Sequence, residues 1–206
     1  MRPVLASLLT LALFVPAAAQ AAAPAKPRLN EVERGFWVGS SVGAVFYPTL
    51  PGAGGDGLAS GALVGVEAGV DILPVLQLGV LVWGQAVGAD VEYRGITDPE
   101  LDPKGARGDF QSMLAGASLR FSFLRFADDN GIDRTFVYAR AAGGAAVSRP
   151  VGVVGDGIWF GGGLGVEYFT RLRHFSVGLE VDGLGMQTDE GEAMGFAVLP
   201  RIAYTF

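Results

Sequence analysis

Hydrophobic and polar residues alternate along most of the chain. The pattern is clearest where Phe175, Val177, Leu179 and Val181 fall on one face and small, polar or charged residues lie between them. A period of two residues is typical of a β-strand with one apolar face. Eight such runs follow one another from residue 35, and none shows the 3.6-residue period of a helix. The predicted strands cover residues 35–47, 60–72, 75–93, 110–126, 135–148, 158–170, 175–186 and 196–206.

The length of these strands and the spacing of their aromatic residues favour a membrane barrel. A soluble β-sandwich would show the same alternation, with its apolar face inside. Strands of soluble proteins, however, average about 5–6 residues, and every predicted run is longer. Phe36 and Phe46 lie ten positions apart on one face, as do Phe196 and Phe206. Ten tilted residues rise about 25 Å, the height of the apolar band between aromatic girdles. The prediction is an all-β fold, an eight-stranded antiparallel up-and-down transmembrane β-barrel.

The connections alternate in length. Tight turns are predicted at residues 73–74 and 171–174, and an intermediate one at residues 127–134. Outer-membrane barrels have long external loops and short periplasmic turns, which predicts that both barrel ends of the chain lie in the periplasm. The long connections are predicted at residues 48–59, 94–109, 149–157 and 187–195.

The first residues resemble a secretory signal. Arg2 precedes an apolar stretch at residues 4–15, Pro16 follows, and small residues then offer cleavage after Ala19 or Ala21. A membrane-anchoring helix would need a longer apolar run. The predicted organisation is a signal peptide at 1–21, a periplasmic lead-in at 22–34 and the barrel at 35–206, located in the outer membrane of a Gram-negative bacterium.

Composition narrows the functional classes. Half of the residues are hydrophobic and 17% are charged, compared with about 25% charged residues in soluble domains. Cysteine is absent, which excludes disulfides and thiolate metal sites. The net charge is −6 and the basic residues do not cluster, so nucleic acid is not an expected partner. No cofactor is predicted.

Three motifs are candidate sites of chemistry. Residues 52–57 satisfy G-x-G-x-x-G, but they lie between two strands rather than before a helix, which indicates a flexible loop. Residues 128–133 are rich in aspartate but lack the spacing of a calcium loop. Arg171, Arg173 and His174 share one turn, which is either solvated or in contact with anionic headgroups or a periplasmic partner. No catalytic residue and no metal ligand is predicted.

Charged residues on the inward-facing parity are the most informative set. Three cations and four anions nearly cancel, which favours an internal ion-pair plug over a small pore or a catalytic carboxylate pair. Depth along the strands predicts that Arg201 pairs with Glu180 and that Arg140 pairs with Glu167. The predicted lumen network comprises Glu67, Arg120, Arg140, Glu167, Glu180, Asp182 and Arg201.

The end of the chain carries a resemblance. Ile202, Tyr204 and Phe206 share one face, and this resembles the C-terminal signature by which outer-membrane barrels are recognised for assembly. The mature chain is similar to the small OmpA/OmpX-type barrels, which implies that outer-membrane lipid and the barrel-assembly machinery are partners. Residues 26–39 and 168–181 more narrowly resemble the outer-membrane barrel of myxobacterial adventurous gliding motility, the CglE type.

The expected role is structural or interaction-bearing, without enzymatic activity. The narrower resemblance implies a component of a gliding-motility apparatus that works with other envelope motility proteins. The alternative from another functional class is a narrow channel for small or apolar solutes.

Overall fold

The chain forms a closed antiparallel β-barrel in a computed structural model, which describes residues 32–51, 58–89, 109–150, 153–172 and 174–206. The predicted signal peptide and residues 22–31 of the predicted lead-in lie outside these residues. The described residues contain no helix long and apolar enough to cross a membrane. The strands are β1 (Phe36–Thr49), β2 (Ala59–Leu73), β3 (Leu76–Ala89), β4 (Phe110–Ala127), β5 (Asp133–Arg149), β6 (Gly157–Phe169), β7 (Phe175–Thr188) and β8 (Gly191–Thr205).

Each strand pairs with its neighbour in sequence, and β1 pairs with β8 to close the barrel. If the paired positions are followed from Phe36 around all eight strands, the path returns to β1 at Phe46, ten residues further along. In an eight-stranded barrel this stagger corresponds to a strand tilt of about 40°. The predicted eight-stranded antiparallel barrel is confirmed.

The apolar face of each strand points outward. Val64, Val66 and Val80 are each about 60% exposed, whereas inward-facing Leu63 and Leu81 are buried. In water such an exterior would be unstable, because apolar surface of this extent favours association or burial. The apolar exterior therefore faces lipid. This confirms the prediction that the apolar face of each strand points outward and the polar face points into the lumen.

Aromatic residues bound the apolar belt at both ends. Phe36 packs against Phe206 with ring centroids 5.5 Å apart, and Phe46 stacks on Phe196 at 5.1 Å. The end at Phe36, where the described chain begins and ends, is called the terminal end, and the end at Phe46 is called the loop end. Two aromatic girdles separated by a band of about 25 Å are typical of transmembrane barrels.

One predicted connection was wrong, and one predicted strand end lies outside the described residues. Thr188 pairs with Gly191, so Asp189 and Glu190 form a two-residue turn in place of the predicted long loop at residues 187–195. Glycine and acidic residues suggested a loop there, but the β7–β8 hairpin continues beyond the apolar band. β3 ends at Ala89, and residues 90–108 lie outside the described part of the chain.

Glycines on the inner face make room for large rings. A Cβ at Gly65 would lie 2.0 Å from Cδ1 of Trp83, and one at Gly165 would lie 2.4 Å from Cζ of Tyr138. Both distances are far below van der Waals contact. The glycine-rich inner face therefore belongs to a packed interior and does not line an open pore.

Candidate functional site

The lumen holds the seven charged residues that the sequence placed on the inner face. They come from six strands, β2, β4, β5, β6, β7 and β8, and all are buried. Inward parity explains their position, because an arginine facing lipid at the midplane costs about 2–4 kcal/mol. The arrangement holds three guanidinium groups and four carboxylates in one cluster, which we call the lumen network.

Glu180 joins two arginines. Its Oε1 accepts hydrogen bonds from Arg120 Nη2 and from the Tyr138 hydroxyl, the latter at 2.8 Å. Its Oε2 accepts from Arg140 Nη1 at 2.5 Å, and the residue is only 1% exposed. A buried carboxylate with three donors is well compensated for its lost hydration, whereas the loss of one partner would leave a charge unpaired.

Glu67 is the second centre of the network. Its Oε1 accepts from Arg120 Nη2 at 2.8 Å and from Arg201 Nε, and its Oε2 lies 3.6 Å from Arg140 Nη2. Arg201 also donates through Nη1 to Glu167 at 2.5 Å. Glu67 is therefore within ion-pair distance of all three arginines, although it lies on β2, far from them in sequence.

Of the two pairs predicted by depth, Arg201–Glu180 is present only as a long ion pair, and Arg140–Glu167 is not among the ion pairs of the described residues. Arg201 is bound to Glu67 and Glu167, and its Nε lies 4.0 Å from Glu180. Arg140 contacts Glu180, Glu67 and, at 3.4 Å, Asp182, while the ion pair of Glu167 is with Arg201. The prediction considered adjacent strands only. In a narrow barrel, long arginine side chains reach across the lumen to strands that are not neighbours.

Aromatic rings bracket the arginines along the barrel axis. The guanidinium of Arg140 lies 4.7 Å from the ring centroid of Trp83, and that of Arg201 lies 4.9 Å from the ring of Trp37. Arg120 lies 4.8 Å from the ring of Tyr138. Cation–π contacts of this kind strengthen when both partners are desolvated. The rings pack against the guanidinium groups and help to hold them in place.

An apolar cluster fills the lumen towards the loop end. Trp83 and Trp159 meet with ring centroids 5.4 Å apart, and both are almost completely buried. Tyr47 donates a hydrogen bond to Gln85 at 2.9 Å, which satisfies the hydroxyl inside this cluster. Further inward-facing members include Val45, Leu63, Leu81, Leu114, Val154, Leu184, Met186 and Leu199. A solute would have to displace these side chains in order to pass.

The segment before β1 lies at the mouth of the barrel at the terminal end. Arg34 packs over the ring of Phe136 at 4.8 Å. His174 Nδ1 lies 2.8 Å from the Thr205 carbonyl oxygen and 3.0 Å from a carboxylate oxygen of Glu33. Through these contacts, the segment before β1 reaches across the barrel mouth to β5 and to the turn that precedes β7.

The turn predicted as a contact site is only partly described. Arg171 and the neighbouring Leu172 are exposed, whereas Arg173 lies outside the described residues. The His174 ring stacks on Tyr204, with centroids 5.1 Å apart. The structure therefore gives His174 a packing role next to the C-terminal strand and leaves Arg171 open to solvent or headgroups.

Arg134 joins two turns at the terminal end. Its Nε donates to Asp128 at 2.8 Å and its Nη1 donates to the Thr170 carbonyl at 2.9 Å. The hydrogen bond from Arg134, together with that from the Ile132 backbone N–H, lowers the pKa of Asp128 to about 2. The aspartate-rich segment is thus a structured turn. Among the described residues, no group of three or more His, Asp or Glu is arranged to hold a metal ion.

The residues of the C-terminal signature face outward along β8. Phe206 donates its backbone N–H to the Phe36 carbonyl at 2.8 Å, and its ring packs edge-to-face on Tyr204. Ile202 is about half exposed on the same face. The last strand therefore ends in an aromatic cluster at the membrane boundary.

Sequence reasoning missed the inward-facing aromatic residues. It treated the inner face as small and polar, yet Trp37, Trp83, Trp159, Tyr47 and Tyr138 all point into the lumen. Their parity was a usable signal, because Trp37 alternates with outward-facing Phe36 and Val38. Buried Arg134 was also missed, because it had been placed in a connection rather than in β5.

No protein family and no curated protein matches the sequence. Among solved structures, Neisserial surface protein A is similar at 14% identity over 83% of this chain and 97% of that chain, with a TM-score of 0.59. OprG from Pseudomonas aeruginosa is 10% identical over 87% and 99%, with a TM-score of 0.49. Ail, the attachment invasion locus protein of Yersinia pestis, is 12% identical over 84% and 100%, with a TM-score of 0.43. The first of these likenesses shows a shared fold.

The architecture itself gives the location. A closed barrel with an apolar exterior, bounded at both ends by aromatic rings, is the form that barrels take in bacterial outer membranes. The protein is therefore a small eight-stranded antiparallel β-barrel of the outer membrane of a Gram-negative bacterium.

Proposed function

We propose that the protein is a non-enzymatic barrel with a structural or interaction role in the cell envelope. The observation that supports this proposal is the filled lumen. The charged network occupies one part of the interior, and the cluster around Trp83 and Trp159 occupies the part nearer the loop end. The interior of an eight-stranded barrel is just wide enough for side chains to fill. The functional surfaces are then the loops, the turns and the lipid-facing belt.

Single-channel recording in planar bilayers tests the closed lumen. The unmodified barrel is expected to show no steady unitary conductance. A Trp83→Ala, Trp159→Ala double variant removes the two tryptophan rings of the apolar cluster, and its conductance is expected to exceed that of the unmodified barrel. Steady conductance through the unmodified barrel would overturn the proposal and support a narrow channel for small solutes.

The absence of enzymatic activity is part of the proposal. It is supported by the state of the lumen carboxylates, since Glu67 and Glu180 are buried and held by arginines, out of reach of a substrate. General acid–base catalysis needs a carboxyl group within hydrogen-bond reach of the reacting atoms. Folded protein is expected to leave peptide and lipid ester substrates intact. Hydrolysis that disappears in a Glu180→Gln variant would contradict the proposal.

The narrower proposal is a part in a gliding-motility apparatus, together with other envelope motility proteins. It rests on the resemblance of residues 26–39 and 168–181. We place the contact with a periplasmic partner or anionic headgroups at Arg171, Arg173 and His174. Deletion of the gene is expected to abolish gliding, and an Arg171→Ala, Arg173→Ala variant is expected to restore it poorly although the barrel assembles. Normal gliding of the deletion strain would rule out this role.

A further inference from the structure

The lumen network contains one acid more than it contains bases. Its three arginines are always charged, because a guanidinium is not deprotonated in proteins. They face four carboxyl groups, and all seven side chains are buried. If every carboxyl group were ionised, three positive and four negative charges would leave a net charge of −1 inside the barrel. An uncompensated charge in such an interior is costly, and a carboxyl group avoids this cost by taking up a proton.

Three of the four acids are well compensated by donors. Glu180 and Glu67 each accept hydrogen bonds from two arginines. Glu167 accepts from Arg201 Nη1 at 2.5 Å and from the Ser176 hydroxyl at 2.7 Å. These three carboxylates and the three guanidinium groups therefore form a set with no net charge.

Asp182 is the remaining acid, and its compensation is poor. Its hydrogen bond within the described part of the chain is a long one, 3.4 Å between Oδ2 and Arg140 Nη1. The same nitrogen lies 2.5 Å from Glu180, which competes for it. The Oδ1 atom has no hydrogen-bond partner among the described residues, and it lies against the backbone of Gly163, where a Cβ would come within 2.5 Å of it.

The surroundings of Asp182 do not supply the missing compensation. The next inward-facing residue on β7 is Leu184, and the register partner on β8 is Ala197; both belong to the apolar cluster. The Asp182 side chain is only 2% exposed, so water does not screen it. The charged side chains that act on it are, in decreasing order of strength, Arg140, Glu180, Arg120 and Glu67. Two of these are cations and two are anions, so together they provide no net countercharge.

We propose that Asp182 is a neutral carboxylic acid at neutral pH, which makes the lumen network a buried proton-binding site. The proton comes from bulk solvent when the barrel folds, and the network then holds three positive and three negative charges. A neutral carboxyl group loses far less hydration energy on burial than a carboxylate does. Asp182 lies where the network meets the apolar cluster, so loss of the proton would place an uncompensated charge at that boundary.

Infrared difference spectroscopy of the folded barrel in lipid vesicles tests for the proton directly. A protonated carboxylic acid has a carbonyl stretching band that is separate from the bands of carboxylates. At neutral pH the unmodified barrel is expected to show such a band, and the Asp182→Asn variant is expected to lose it. The matched control is Asp189→Asn in the exposed β7–β8 turn, which should keep the band. Absence of the band from the unmodified barrel, or its persistence in Asp182→Asn, would overturn the proposal.

Unfolding in urea provides a second test. Asparagine has nearly the shape of a protonated aspartate, so Asp182→Asn is expected to leave the unfolding midpoint unchanged. Glu180→Gln removes a charge that two arginines need, and it is expected to lower the midpoint. Only barrels with heat-modifiable migration are compared, which removes misfolded protein. A loss from Asp182→Asn as large as that from Glu180→Gln would overturn the proposal.

A bound monovalent cation is the other way to balance the fourth acid. Replacement of sodium and potassium by choline in the buffer is expected to leave both the infrared band and the unfolding midpoint unchanged. A lower midpoint in choline, without the band, would assign the balancing charge to a cation and overturn the proposal. All these measurements are independent of whether the lumen conducts, so they are separate from the test of the proposed function.

Discussion

The lumen network makes a quantitative prediction at Glu180. Glu180→Ala removes the carboxylate that binds both Arg120 and Arg140, and the residue is only 1% exposed. Removing one partner of a buried ion pair costs about 3–5 kcal/mol, because the remaining charge stays buried without compensation. Glu180→Gln keeps the side-chain volume and the acceptor for Tyr138, so its loss is expected to be smaller. The matched control is Glu190→Ala in the exposed β7–β8 turn, expected within about 0.5 kcal/mol of the unmodified protein.

A double-mutant cycle identifies the partner of Glu180. Arg140 Nη1 lies 2.5 Å from Glu180, whereas Arg201 Nε lies 4.0 Å away and is bound mainly to Glu67 and Glu167. Residues in one ion-pair network couple by about 0.5–3 kcal/mol. Glu180→Ala combined with Arg140→Met is expected near the upper end of that range. Glu180→Ala combined with Arg201→Met is expected near the lower end.

Equilibrium unfolding by urea in phospholipid vesicles measures these free energies. Tryptophan fluorescence is a suitable probe, because Trp37 and Trp83 lie beside the network. An additive cycle for Glu180 and Arg140, within about 0.5 kcal/mol, would refute the pairing. A single Glu180→Ala loss below about 1 kcal/mol would refute the claim that the network stabilises the barrel.

Three further predictions follow from individual contacts. Gly65→Ala places a Cβ 2.0 Å from Trp83 Cδ1 and is expected to cost about 1–3 kcal/mol in the same unfolding assay. Gly84→Ala, whose nearest neighbour would be 4.0 Å away, should cost little, and equal losses would contradict the packed lumen. The Asp128 carboxyl, with its pKa lowered to about 2, is expected to stabilise the turn fully above about pH 4 and progressively less as the pH falls towards 2. Carbon-13 titration of that carboxyl checks this, and Arg134→Gln should raise the midpoint; an unchanged midpoint would exclude Arg134 as the cause. Deletion of Phe206 removes the ring that packs on Phe36 and Tyr204, and it should lower the amount of heat-modifiable barrel more than Asp189→Ala does; normal abundance would count against the assembly role.

The barrel was predictable because one physical constraint acts on every strand. Lipid on the outside requires an apolar residue at every second position, and this requirement fixed the strand number and the inward parity of Glu67, Arg120 and Arg201. The start of β8 was missed because the constraint ends at the membrane boundary. Gly191 and Glu192 lie on the loop side of Phe196, outside the apolar band, and do not face lipid. Their composition resembles that of a loop, although they belong to the β7–β8 hairpin.

The ion pairs were less predictable, because the inner face obeys a different geometry. Neighbouring strands set the register of the backbone, but an arginine side chain in a narrow barrel reaches past its neighbour. Arg120 on β4 binds Glu67 on β2 and Glu180 on β7, which no argument from adjacent strands could have found.

The division of the lumen into two parts also explains why the inner face looked weakly patterned. The lumen network consists of charged residues that are surrounded by large side chains. The part of the lumen nearer the loop end is filled by large uncharged side chains. Glycines such as Gly65 and Gly165 are found where the rings of Trp83 and Tyr138 need their space. The inner face thus contains charged, aromatic and glycine residues, and it has no uniform polarity along the sequence. Together these side chains nevertheless fill the lumen. A barrel filled in this way offers its surroundings only its outer surfaces, so interactions with other molecules have to involve the loops, the turns or the lipid-facing surface.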